Sequence, residues 1–175
     1  MMSAAPQQLA VYIDVDRCVA CYACEVACKQ AHNLPVGPRL IRVISLERPR
    51  NNQVEVISAP LACVHCYEAP CVEVCPTKAL SRRKEDGIVL LNRIRCIGCK
   101  MCLVVCPFGA PQVDVDGKMI KCDLCVDRLQ KKKKPACVSA CPVEALKFGT
   151  MEELSSMVRE KWLNQMWKVK GFPQK

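Results

Sequence analysis

The chain has 175 residues, a formal charge of +9 and 16 cysteines, and these cysteines inflate its hydrophobic share of 51%. The aliphatic core is therefore thin for one or two small domains, metal ligation is expected to substitute for part of it, and the metal-free form is expected to fold poorly. The positive charge does not indicate a nucleic-acid binder, because thiolates bound to metal cancel most of it and aromatic residues at 5% leave no platform for stacking bases.

In chain order, Met1 to Ala10 carries neither the basic flank nor the long apolar run of a signal peptide. The expected location is the cytoplasm, with export alongside a signal-bearing partner as the alternative. Leu9–Val15 reads as a strand and leads to the first cysteine group, Cys18, Cys21, Cys24 and Cys28. Residues 40–57 read as an inserted hairpin, with Arg48-Pro49-Arg50-Asn51-Asn52 as its turn and Val54–Ile57 as a strand before Cys63, Cys66, Cys71 and Cys75. Gly87–Leu91 precedes the third group, Cys96, Cys99, Cys102 and Cys106, and Lys118–Ile120 precedes the fourth, Cys122, Cys125, Cys137 and Cys141.

This is an internal repeat of strand, cysteine loop and helical turn. Three groups close alike, as Cys75-Pro76-Thr77-Lys78-Ala79, Cys106-Pro107-Phe108-Gly109-Ala110 and Cys141-Pro142-Val143-Glu144-Ala145. The proline fixes the backbone as it leaves the group. Lys29 stands in its place after Cys28, so the first group is expected to leave differently.

The C-terminal segment changes character. Thr150-Met151-Glu152-Glu153 fits a capping box, and Met151, Leu154, Val158, Trp162 and Met166 recur at helical spacing, giving an amphipathic helix over roughly Met151 to Trp167. Its apolar stripe either packs on the chain's own body or, through Trp162 and Trp167, meets another subunit. No apolar run is long enough to span a bilayer.

Every cysteine group ends in C-x3-C, and the first and third read C-x2-C-x2-C-x3-C throughout. Three thiolates on one tight loop hold three irons of a [4Fe–4S] cluster, while the fourth reaches a neighbouring cluster. Sixteen thiolates complete four clusters. Such dense cysteine runs argue against disulfides, and a zinc module, the remote alternative, rarely takes three cysteines at successive x2 spacing. The short interval from Cys75 to Cys96 resembles the layout of a small two-cluster ferredoxin. The second and third groups therefore form one unit, over 58–111, and the first and fourth form an outer unit from 1–39 and 112–149, with a helix and tail over 150–175.

Nothing in the chain makes or breaks substrate bonds. Cysteine fills every iron position, and the seven glycines form neither a G-x-G-x-x-G fingerprint nor a phosphate-binding loop. His65, between two ligands, is read as structural, and His32 carries no signal. Asp14 and Asp16 alternate with Tyr12 as a solvent-facing side and receive no role. Lys131 to Lys134 are read as a solvated loop.

Cys63-Val64-His65-Cys66-Tyr67-Glu68-Ala69-Pro70-Cys71, followed by Cys75-Pro76-Thr77, resembles the second cluster motif of the four-cluster iron–sulfur subunits of dimethyl sulfoxide reductase, polysulfide reductase and formate dehydrogenase complexes. Cys96-Ile97-Gly98-Cys99-Lys100-Met101-Cys102 with Cys106-Pro107-Phe108-Gly109-Ala110-Pro111 resembles the third. Lys121-Cys122-Asp123-Leu124-Cys125, continuing to Cys137 and Cys141-Pro142, resembles the fourth. Ala69 departs from a common Pro, and Lys131–Lys134 fill a stretch that in many relatives contains Gly.

The resemblance implies an α+β fold of two nested bacterial-ferredoxin-like units, each with two clusters, plus the hairpin and the C-terminal helix. It implies four ligand sets: Cys18, Cys21, Cys24 and Cys141; Cys28, Cys122, Cys125 and Cys137; Cys63, Cys66, Cys71 and Cys106; and Cys75, Cys96, Cys99 and Cys102. The implied role is a non-catalytic subunit that relays single electrons through four [4Fe–4S] clusters to or from a catalytic oxidoreductase subunit. A molybdenum or tungsten enzyme of the formate dehydrogenase or aldehyde oxidoreductase type is the first expectation. A free polyferredoxin shuttle, or a partner of carbon monoxide dehydrogenase or hydrogenase, is the alternative. Further redox subunits or copies of the chain are additional partners on this reading.

Overall fold

A computed structural model describes residues 7–169. The parts of the expected outer unit at 1–6 and of the expected tail at 170–175 lie outside them. The elements in order are β1 (Leu9–Ile13), α1 (Ala23–Ala31), β2 (Ile41–Arg50), β3 (Gln53–Ala62), α2 (Pro70–Glu73), β4 (Leu80–Arg82), β5 (Val89–Leu91), α3 (Met101–Val104), β6 (Gln112–Val113), β7 (Met119–Ile120), α4 (Val126–Gln130), α5 (Ala136–Ser139), β8 (Leu146–Thr150) and α6 (Met151–Val169).

The strands form four antiparallel pairs, β1 with β8, β2 with β3, β4 with β5 and β6 with β7. Pairing of β1 with β8 sets Ile13 opposite Leu146 and joins the first strand to the last. Helices α1 and α5 pack together, as do α2 and α3. The fold is α+β and ferredoxin-like, with short strands bracketing cysteine loops.

Two small cores result. One gathers Ala69, Ala79, Leu80, Val89, Cys96, Cys102 and Met119. The other gathers Cys24, Cys28, Leu40, Ile41, Val43 and Leu146. Cysteine is a member of both, so the thin aliphatic core expected from composition is a structural fact. Met119, beyond the third cysteine group, packs with the first of these cores and closes it.

The hairpin is longer than the sequence pattern indicates, and its turn is tighter. Strand β3 runs on to Ala62, and Arg48, Pro49 and Arg50 belong to β2 rather than to the turn. Asn51 and Asn52 alone make the turn, both with positive φ (48° and 61°), and Arg50 faces Gln53 across it. A two-residue turn with both residues left-handed matches strand twist, and asparagine tolerates that backbone at little cost. Pro49 and Pro60 are tolerated because a two-stranded ribbon has only edge strands. The buried Glu25 of α1 ties the hairpin down: its carboxylate accepts the Val43 N–H at 2.6 Å and meets Arg39 at 3.2 Å.

The capping box of α6 forms. Glu153 N–H donates to Thr150 Oγ1 at 3.2 Å, and Thr150 N–H donates to Glu153 Oε2 at 2.8 Å. Leu154 is buried and Met166 half-buried, while Met151, Val158 and Trp162 are exposed, so the apolar stripe covers the chain's own body only in part. Further along, Lys161 Nζ donates to Asp14 Oδ1 at 2.5 Å and Asp16 Oδ2 at 2.6 Å. Asp14 is therefore no solvent-facing residue: it is buried, and with Asp16 it clamps the helix. Among the described residues, no helix is long and apolar enough to cross a membrane.

Candidate iron–sulfur sites

The cysteine loops share one backbone device. The residue before the second cysteine of each group has positive φ: Ala20 (52°), His65 (50°), Gly98 (68°) and Leu124 (58°). Tyr22 (60°) and Lys100 (64°) carry the same left-handed backbone between the second and third cysteines of the two C-x2-C-x2-C groups. A left-handed residue curls the chain so that consecutive side chains and amides converge on one point. At Gly98 glycine is required twice over, because a Cβ there would also stand 2.7 Å from the Gly117 carbonyl oxygen.

The third cysteine of each group lies on a short helix: Cys24 on α1, Cys71 on α2, Cys102 on α3 and Cys137 on α5. In three groups the fourth cysteine follows the helix in a turn rather than lying on it. After it, Cys-Pro-x-x-Ala folds the same way each time. The third residue after the cysteine, Lys78, Gly109 or Glu144, has positive φ and donates its N–H to the cysteine carbonyl at 3.2, 3.2 and 3.3 Å respectively. The alanine N–H then points at the thiol, at 3.2 Å for Ala79 on Cys75, 3.5 Å for Ala110 on Cys106 and 3.2 Å for Ala145 on Cys141. Proline permits this turn because it ends the helix and needs no partner for an N–H. Without it, α1 continues past Cys28 to Ala31, and Lys29 Nζ donates to the carbonyls of Pro35 and Pro38 at 2.7 and 3.1 Å.

Distant cysteines meet around shared cavities. One is lined by Cys63, Cys66, Cys71 and Cys106, a second by Cys75, Cys96, Cys99 and Cys102, and a third by Cys28, Cys122, Cys125 and Cys137 together with Cys63. Cys24 also lies near enough to Cys141 to feel its charge. Cys18 is half-buried and Cys21 exposed on the same loop.

Burial governs the thiols. It pushes Cys28 and Cys137 up to about 12, and Cys24 and Cys102 up to about 11, with neighbouring thiolates adding to the effect in each case. Cys122 is also held far above the usual thiol range by burial. Cys75 goes the other way: burial alone would raise it, but N–H groups of Leu80, Ala79 and Thr77 and the Thr77 hydroxyl hold it below its ordinary value.

These converging thiols, four of them met by a backbone N–H, have no disulfide partner among them. They are the donor set that an iron–sulfur cluster requires, since bound iron removes the protons that burial retains and compensates the thiolate charge. The residues present fit [4Fe–4S] clusters.

Comparison with known proteins agrees. Residues 54–151 match the 4Fe-4S dicluster domain, and residues 15–31 match a 4Fe-4S binding domain. The chain is 37% identical to the formate dehydrogenase iron-sulfur subunit of Wolinella succinogenes, over 88% of this chain and 87% of that protein. It is 41% identical to the thiosulfate reductase electron transfer subunit of Salmonella typhi (87% and 79% covered), and 38% identical to an anaerobic dimethyl sulfoxide reductase chain of Escherichia coli (84% and 76% covered).

The chain belongs to the 4Fe-4S dicluster family of iron–sulfur subunits.

As a family member with 16 cysteines, it carries enough ligands for four [4Fe–4S] clusters. Near these sites one residue stands as the sequence reading expects and two, His32 and Lys121, escape it. His65 is fully buried; its Nδ1 accepts the Val89 N–H at 3.0 Å, and burial, aided by the charge of Lys121, lowers it to about 3. The structural role expected of it holds. His32 has a place after all, with Nε2 3.4 Å from Cys125 Sγ and 3.5 Å from Asp123 Oδ1. Lys121, next to Cys122 in sequence, is buried and lines the cavity of Cys63, Cys66, Cys71 and Cys106. None of these contacts follows a sequence period, so no local signal announces them. Trp162 and Trp167, expected to meet a partner, are both exposed on α6, at 60% and 50%. Lys131 to Lys134 are exposed, as a solvated loop should be.

Proposed function

We propose that the protein relays single electrons through four [4Fe–4S] clusters to or from a catalytic oxidoreductase subunit. A molybdenum or tungsten enzyme of the formate dehydrogenase or aldehyde oxidoreductase type is the partner that the resemblance favours. The carrying observation is that three cavities are each lined by one complete set of four cysteines from two different groups. The ligand sets on this reading are Cys63, Cys66, Cys71 and Cys106; Cys75, Cys96, Cys99 and Cys102; Cys28, Cys122, Cys125 and Cys137; and, for the remaining thiols, Cys18, Cys21, Cys24 and Cys141. A bound cluster supplies one-electron chemistry with no proton or group transfer of its own.

The residues of the chain supply spacing and environment. Pairing of β1 with β8 and packing of α1 on α5 support an outer unit folded around an inner one made by β4, β5, α2 and α3. The thiols also suggest an order. Cys24 neighbours Cys141, Cys28 neighbours Cys24 and Cys137, Cys122 neighbours Cys63, and Cys102 neighbours Cys71. This gives a single file that begins at the set of Cys21 and ends at the set of Cys99, and those two cysteines are the exposed ones. Electrons enter and leave at these ends. Backbone N–H groups on Cys75, Cys106 and Cys141 favour the more negative, reduced state of each centre.

The exposed half of α6, with Trp162, Leu163 and Trp167, supports docking on a larger subunit over a free shuttle, because large aromatic side chains anchor interfaces. Anaerobic purification of the tagged chain from its native cell, followed by identification of the co-eluting protein, tests this. A stoichiometric oxidoreductase subunit is expected, and a chain that elutes alone with its iron would make it a shuttle.

A further inference from the structure

We propose that Lys121 is a positioning residue for electron transfer: its buried ammonium group, in the wall of one cysteine-lined cavity and hydrogen-bonded to the backbone of Cys122 in the wall of another, raises the reduction potential of the redox centre held by Cys63, Cys66, Cys71 and Cys106. The proposal rests on the ligand reading given above. Lys121 is 6% exposed and lines the cavity of those four cysteines. Its Nζ donates to the carbonyl of Val89 and, at 2.5 Å, to that of Cys122. These two bonds aim the charge inward from the end of β7, and they hold it where the outer cysteines meet the inner ones.

What is missing around Lys121 carries the argument. A buried ammonium group is costly unless a negative charge stands near it. Among the described residues, the salt bridges of this chain involve Arg, His32, Lys147 and Lys161, and none involves Lys121. Carbonyl dipoles solvate the group without neutralising it. The negative charge that remains within reach is that of the cysteine thiolates. Cys63, Cys66, Cys71 and Cys106 share the cavity wall with Lys121, and Cys122 follows it directly in the chain.

Adding one electron to a cluster breaks no bond and makes the site one unit more negative. A fixed cation in a poorly screened interior favours that reduced form. The effect should be greatest at the set of Cys63, whose cavity Lys121 lines, and smaller at the set of Cys122. Lys121 would thereby make the middle of the relay easier to reduce than its cysteine loops alone would allow.

The test is a redox titration of the anaerobically purified, fully loaded protein, followed by electron paramagnetic resonance, for the wild type and for Lys121→Met, Lys121→Gln and Lys121→Arg. Both neutral variants are expected to keep about sixteen irons. One midpoint should fall by at least a tenfold change in the reduction equilibrium, which is about 59 mV for one electron. Lys121→Arg should largely restore the wild-type value. Loaded neutral variants with all midpoints unmoved overturn the proposal, and so do neutral variants that fail to retain four clusters, which would assign Lys121 to assembly. A wild-type protein without iron would instead remove the ligand reading itself.

Discussion

Cys28, near the end of α1, and Cys137, on α5, line one cavity although two complete cysteine groups intervene between them in the sequence. Burial and an ionised Cys137 both raise the Cys28 thiol, so the two are close enough to repel. Neighbours of this kind make a site that no single loop of the chain contains. Cys28→Ala should therefore cost the cluster of Cys122, Cys125 and Cys137, not that of its own group. Iron should fall by about a quarter. The missing spectroscopic signal should match the one lost in Cys125→Ala, and a match to Cys21→Ala instead would reverse the exchange of ligands.

Two glycines separate the effect of backbone strain from that of close approach. Gly98 has φ +68° and no room for a Cβ against Gly117, whereas Gly109 has φ +58° and open space around it. Gly109→Ala should cost about 1 to 2 kcal/mol, the ordinary penalty for a left-handed alanine. Gly98→Ala adds a clash with backbone and should cost more, and it should loosen the third cysteine loop enough to lower iron retention. Denaturant unfolding and iron counts on the two loaded variants check this, and equal losses would contradict it.

The C-terminal helix hangs on two contacts. Leu154 is buried, and truncating such a leucine to alanine costs about 2 to 5 kcal/mol. Lys161 is raised above its ordinary value of 10.5 by hydrogen bonds to Asp14 and Asp16. A raised lysine contributes stability that is fully present below its unfolded pKa and is lost as pH climbs through the folded one. The clamp should therefore persist across neutral pH, and on the alkaline side it should loosen only in strong alkali. Lys161→Ala should speed amide exchange in the second half of α6 severalfold at pH 7 while leaving the cluster spectra alone.

Thiols raised by burial give the metal-free chain a pH dependence of definite sign. Cys28 and Cys137 move from 9.0 to about 12, so the folded metal-free state holds protons that the unfolded chain releases between those values. Its stability is highest below pH 9 and falls as pH rises toward 12. Circular dichroism of anaerobically chelated protein should show the folded fraction that survives without metal dropping from pH 8 to pH 10. A folded fraction that rises over the same interval would show that these thiols are not buried together.

Much of this is legible in residue spacing, because cluster loops repeat and repetition needs no tertiary knowledge. The cysteine grouping, the shared Cys-Pro-x-x-Ala exit and the Thr150 and Glu153 box are local patterns, and each stands where its pattern predicts. Strands β4, β6 and β8 give no such signal, for a physical reason. They are two to five residues long and take their conformation from a partner strand rather than from their own alternation. The hairpin turn reads too broadly in the sequence because Pro49 resembles a turn residue, yet the two asparagines alone supply the positive φ that the reversal requires. Asp14, His32 and Lys121 are invisible there as functional groups, since each finds its partner across the fold: Asp14 on α6, His32 on the fourth cysteine group, and Lys121 on the Val89 carbonyl in the wall of a cysteine-lined cavity.

The most direct measurement is iron and acid-labile sulfide in protein prepared without oxygen, combined with its visible spectrum and the electron paramagnetic resonance of the reduced form. A relay of four cubanes predicts about sixteen irons and about sixteen sulfides per chain, a brown colour, and reduced centres that interact magnetically. Little iron and sulfide, or a colourless protein holding zinc on the same thiols, would contradict it.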